Sequence, residues 1–144
     1  EIGLGIPAEP LFRSFRFNVD ILEHDEDDPM YQGCMTVDCG DRNRVRNVLF
    51  EDIRVEHIQE GRLFYVKVRF NPKYDRQPGS SIEGVVFRNI TYTGVGENRS
   101  LIQGLSRDGM VRNVTFENVT INGEKMRDLK ETVTNEFISN VSVK

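Results

Sequence analysis

Apolar residues along this chain alternate with polar ones in short runs, the period-2 signature of strands rather than the 3.6-residue stripe of a helix. In residues 111–121 (VRNVTFENVTI), Val114 and Phe116 alternate with polar neighbours, and after Asn118 the alternation resumes at Val119 and Ile121. β-Branched residues are plentiful, so the stretch reads as two short strands meeting at a bend. The same form, apolar-x-x-apolar-x-Phe-x-Asn/Asp-apolar-x-apolar, occurs in residues 45–55 (VRNVLFEDIRV) and 82–92 (IEGVVFRNITY), with weaker copies at 18–21 (NVDI) and 138–143 (ISNVSV). With the Asn or Asp as marker, the intervals are 34 (18 to 52), 37 (52 to 89), 29 (89 to 118) and 22 (118 to 140), periods that belong to repeat architectures. Further alternating runs lie between the copies, at 34–39, 63–70 and 101–105. Three short strands per turn, stacked turn on turn, predict an all-β fold, a right-handed parallel β-helix (solenoid) of about five rungs.

The marker has a structural task in such a coil. An Asn at a bend tolerates the left-handed backbone region and hydrogen-bonds to its counterpart one rung away, so Asp52, Asn89, Asn118 and Asn140 are expected to form a ladder. The sequons at Asn89, Asn113, Asn118 and Asn140 are then by-products of the repeat, and only Asn98, in a Gly-rich stretch, reads as a surface-loop sequon. Residues 24–32, 71–81 and 95–100, rich in Asp, Pro, Gly, Asn and charge, read as projecting loops. Residues 123–135 are ambiguous, since Met126, Leu129 and Val133 also fit a short amphipathic helix, and a helix there could cap the last rung.

Composition narrows the function classes. The 144 residues suit one domain spanning 1–144, and the formal charge of −4 is the wrong sign for a binder of nucleic-acid phosphates. Apolar runs are only a few residues long, far short of the roughly 20 of a membrane helix. Cys34 and Cys39 point to opposite faces of a strand, and with His24 and His57 as the only imidazoles no zinc or redox constellation emerges. The acidic run Glu23, Asp25, Glu26, Asp27 and Asp28 admits three readings: a solvated face, a Ca²⁺ site and a catalytic acid pair.

The repeat V-R-N-V-x-F-E-N-V-x-I, with strand runs between copies, resembles the right-handed parallel β-helix of the polygalacturonase family and its pectin-lyase-like relatives, from about Phe15 onward. That family carries Asn-Thr-Asp, Gly-Asp-Asp, Gly-His-Gly and Arg-Ile-Lys motifs on one face, where paired carboxylates protonate the leaving oxygen and activate water. Here Glu26-Asp27-Asp28 lacks the glycine, Tyr65-Val66-Lys67 keeps only the lysine of Arg-Ile-Lys, and the other two motifs do not occur. The resemblance therefore implies no catalytic residues in this chain. It points instead to the β-helical carbohydrate-binding modules attached to xylanases.

In the related enzymes saccharide lies on the face corresponding to runs 34–39, 63–70 and 101–105. Alternation turns Phe64, Val66, Val68 and Phe70 inward and leaves Tyr65, Lys67 and Arg69 in an outward row, with Thr36 and Asp38 on one side and Gln103 on the other. Tyr65 would stack on a sugar ring, Lys67, Arg69, Asp38 and Gln103 would bond hydroxyls, and Tyr31 and Tyr74 would wall the groove. The expected function is a secreted, non-catalytic carbohydrate-binding module for plant cell-wall polysaccharide, xylan-type preferred. Its expected partners are the polysaccharide and a covalently linked glycoside hydrolase domain, with no nucleic acid and no membrane. It would need no cofactor or metal, with Ca²⁺ left open at the acidic run. The alternative is the C-terminal part of a polygalacturonase-like glycoside hydrolase whose catalytic rungs precede Glu1.

Overall fold

The alternating runs pair as strands, all parallel except one hairpin. The computed structural model describes residues 18–21, 33–58, 62–95 and 99–144; of residues 18–21 and His57 it describes the backbone alone. Within these, the strands in chain order are β1 (Asn18–Ile21), β2 (Met35–Cys39), β3 (Arg44–Ile58), β4 (Phe64–Val68), β5 (Ser81–Tyr92), β6 (Ser100–Gln103), β7 (Val111–Ile121), β8 (Glu124–Lys125), β9 (Thr132–Thr134) and β10 (Ile138–Val143). The larger sheet has the order β1-β3-β5-β7-β10, with β8 folded back on β7 as an antiparallel hairpin. The smaller sheet has the order β2-β4-β6-β9. From β2 to β7 consecutive strands alternate between the two sheets.

The inward residues of both sheets fill one apolar core. Met35, Val37 and Cys39 of β2 and Phe64, Val66 and Val68 of β4 are buried, as are Val85 and Phe87 of β5 and Val114 and Phe116 of β7. Phe87 stacks between Phe50 and Phe116, with ring centroids 5.2 and 5.1 Å away. Phe64 crosses from the smaller sheet to meet Phe87 at 4.6 Å and Phe116 at 5.0 Å, in tilted and edge-on contacts that favour aromatic quadrupoles.

Left-handed residues bend the long strands at matching places. Asp52, Asn89 and Asn118 have φ of 57°, 54° and 53°, and their side chains form a column: Asn118 Nδ2 donates to Asn89 Oδ1, and Asn89 Nδ2 to Asp52 Oδ1, each at 2.9 Å. Asn140 does not join it. It donates instead to Asn113 Oδ1 at 2.6 Å, in a second column whose positions on β3 and β5 are Asn47 and Gly84. Those four residues also have positive φ, from 52° to 71°. The asparagines are exposed, so the ladders run along the surface.

Two expectations are corrected. Residues 123–135 form no helix: Asn122 and Gly123, both at positive φ, make the hairpin turn between β7 and β8, and β9 follows. Asn-Gly is the pair that such a two-residue hairpin favours, and it outweighs a weak helical stripe. The run 63–70 stops pairing at Val68, so Phe70 is not an inward strand residue but is exposed.

Candidate functional site

The outer side of the smaller sheet carries two rows set by register. One runs Thr36–Tyr65–Leu101–Val133, the other Asp38–Lys67–Gln103. Alternation does not foresee how deeply the first row is covered. Tyr65 is 7 % exposed, and burial, followed by the nearby Asp38 carboxylate, pushes its hydroxyl pKa up. At that exposure the ring offers no open stacking platform. Lys67 and Gln103 remain accessible.

Beyond Val68 the chain turns into a braced loop. Arg69 Nε donates to Asp38 Oδ2 at 2.6 Å, and Arg69 Nη1 lies 3.5 Å from Asp75 Oδ2. Arg69 and Asp38 therefore hold each other, which leaves them less free to recognise a ligand. Asp75 also accepts from the Asn71 backbone N–H at 2.8 Å. Its carboxylate packs so closely on Gly40 that a Cβ there would stand 2.7 Å from Oδ1. The preceding turn is stitched on as well. Asp41 Oδ1 accepts from the N–H groups of Arg76 and Gln77 at 3.1 and 3.2 Å, and the N–H of Arg42 donates to Pro78 O at 2.8 Å. One further loop, after β6, reaches this edge where Gly109 approaches the Gly79 carbonyl.

On this framework two aromatic rings face solvent, Phe70 at 43 % and Tyr74 at 67 % exposure. Lys73 Nζ lies 4.9 Å from the Tyr74 ring centre, within cation–π range. Of the two tyrosines expected to wall the groove, Tyr74 is exposed in this loop, and Tyr31 lies outside the described residues. Sequence reasoning missed Asp41, Phe70 and Asp75. The signal for Asp75 was its place four residues after Asn71 in a Pro-containing turn, where its carboxylate closes on the Asn71 N–H and Asn71 Oδ1 accepts from the Lys73 N–H.

The opposite, N-terminal ends of the same strands border a cleft of about 730 Å³. Phe64, Ile121 and Met126 line it with Ser100 and Thr132, and Glu124, Lys125, Arg127, Asp128 and Glu131 bring both charge signs to its rim. The acidic run 23–28 and His24 lie outside the described residues; among the described residues no group of three or more His, Cys, Asp or Glu could hold a metal ion. Cys34 and Cys39 are free thiols, and burial raises the pKa of Cys34 to about 11. Among the described residues no helix is long and apolar enough to cross a membrane.

The all-β, parallel-sheet class is thus defined by the fold. At the level of kinship, the chain finds no match among family models, curated proteins or solved structures.

Proposed function

We propose that this chain is a non-catalytic carbohydrate-binding module for plant cell-wall polysaccharide, part of a larger secreted protein and joined there to a glycoside hydrolase. The two parallel sheets, joined by strands that alternate between them, are read as sides of a right-handed β-helix. The observation that carries the reading is the edge where Phe70 and Tyr74 expose flat apolar surface at the end of the strand bearing Lys67, with Gln103 next in register. An aromatic ring matches the C–H face of a pyranose, and amide or ammonium groups bond its hydroxyls. The bracing by Asp41 and Asp75 supports the reading because a pre-ordered loop loses little entropy on binding. The absence of intact Asn-Thr-Asp, Gly-Asp-Asp and Gly-His-Gly motifs favours binding over hydrolysis.

Each contact in such a site replaces a sugar–water hydrogen bond, so the affinity expected is micromolar to millimolar, about −8 to −4 kcal/mol. Affinity electrophoresis in gels containing xylan, mixed-linkage glucan, polygalacturonate or starch tests it. Retardation by at least one cell-wall polymer, weakened by Tyr74→Ala or Phe70→Ala, is expected. Unretarded migration in every gel, or release of reducing sugar, contradicts it.

A further inference from the structure

Charge is handled differently on the two sheets. On the larger sheet the outward charges pair along rows: Arg88 bridges Glu51 at 3.0 Å and Glu117 at 2.6 Å, Lys144 reaches Glu117 at 3.5 Å, and Glu83 lies between Arg46 and Arg112. At the loop edge of the smaller sheet the cations are in excess. From Lys67 to Ser80 there are four of them, Lys67, Arg69, Lys73 and Arg76, against the single carboxylate of Asp75. Asp75 is committed to Arg69 and to the Asn71 N–H. Arg42 and Arg107, from the neighbouring loops, add two exposed guanidinium groups to the same edge, with one exposed carboxylate, Asp108, beside Arg107. Asp41, which precedes Arg42, already accepts the backbone N–H groups of Arg76 and Gln77.

Position as well as sign matters. The sheet row Asp38–Lys67–Gln103 mixes both charges with an amide, whereas Arg42, Lys73, Arg76 and Arg107 stand beyond the strand ends. A polymer with a neutral backbone on the sheet and carboxylates on its side groups would satisfy both zones. A polymer charged on every backbone sugar would set carboxylates against Asp38. Guanidinium groups suit the task, since their planar fork bonds both oxygens of a carboxylate.

Resting on the carbohydrate-binding reading, we propose that the ligand is a cell-wall polysaccharide with uronate side groups on a neutral backbone, of the kind found in glucuronate-substituted xylan, and that Arg42, Arg76 and Arg107 take its carboxylates. These contacts are solvent-exposed, so salt weakens them.

The test is affinity electrophoresis of the whole chain in glucuronoxylan, in the same polymer after chemical reduction of its carboxylates, in neutral arabinoxylan and in polygalacturonate, at low and high salt. Glucuronoxylan should bind about tenfold more tightly than its reduced form, with the difference shrinking in high salt. The triple variant Arg42→Gln/Arg76→Gln/Arg107→Gln should lose that preference while binding the reduced polymer unchanged. Its thermal melt, compared with that of the parent chain, shows that the fold survives. Equal affinity for native and reduced glucuronoxylan overturns the proposal and leaves the carbohydrate-binding reading standing. Tighter binding to polygalacturonate overturns the side-group arrangement. Carboxylate preference that emerges only after Glu26, Asp27 and Asp28 are changed to their amides assigns the cations to the chain's own acidic run and overturns it too. Failure to bind any of the four polymers removes the underlying reading itself.

Discussion

Asn118 combines two roles in one residue: its backbone stands at φ 53°, and its amide donates to Asn89 Oδ1 at 2.9 Å. The left-handed region costs most side chains roughly 1–2 kcal/mol, and one hydrogen bond contributes about 0.5–1.5 kcal/mol net. Asn118→Gly keeps the backbone freedom and loses the bond, so it should destabilise by about 0.5–1.5 kcal/mol. Asn118→Leu loses both and should cost about 1.5–3 kcal/mol. Chemical denaturation separates the two, and equal losses would show that the bend is not what selects asparagine. The thiols offer a second residue-level check. With its pKa near 11, Cys34 is ionised to only about one part in a thousand at pH 8, and Cys39 is buried and raised in the same direction. An aromatic disulfide reagent at pH 8 should therefore titrate neither thiol in the native protein within minutes, and both after unfolding. Rapid native reaction at Cys34 would contradict its raised pKa.

At the scale of strands, the outward row Glu51–Arg88–Glu117–Lys144 knits β3, β5, β7 and the residue after β10 by alternating charge. The hydrogen bond from Arg88, backed by the charges of Arg88 and Lys144, holds the Glu117 carboxyl below its ordinary value. A carboxyl with a depressed folded pKa adds stability above the unfolded value, near 4, and loses it as the pH falls through the folded value. Glu117→Gln should therefore lower the melting temperature at neutral pH, and the gap from the parent should close at acid pH. A gap independent of pH would show that the ion pair is not its source. Much of this layout is readable in the sequence: the register that pairs residues 45–55 with 82–92 and 111–121 follows from their shared spacing. The second Asn column was also there to be read, as the third residue of VRNV in two copies and the asparagine of SNV in the last, but Gly84 interrupts it and hides the recurrence. The end of β4 was not readable, because apolar alternation continues through Phe70 while backbone pairing stops at Val68. The cover over Tyr65 was not readable either, since alternation fixes which face a residue takes and not what lies above it.

For the molecule as a whole, the net charge of −4 conceals a separation. Five carboxylates crowd residues 23–28, while the stretch 67–80 has a cationic excess, so average composition says little about the ligand this edge prefers. The two ends of the smaller sheet also differ: a mixed-charge cleft at the strand N-termini, and at the C-termini the braced loops with Phe70, Tyr74 and the exposed cations Arg42, Lys73, Arg76 and Arg107. Binding is proposed at the second of these. Amide chemical-shift mapping of the labelled chain during titration with xylan oligosaccharides tests it directly. Shifts concentrated at Lys67, Phe70, Lys73, Tyr74, Arg76 and Gln103 are expected. Shifts confined to the cleft around Ile121, Met126 and Thr132, or to the outer side of the larger sheet around Arg88 and Glu117, would contradict it.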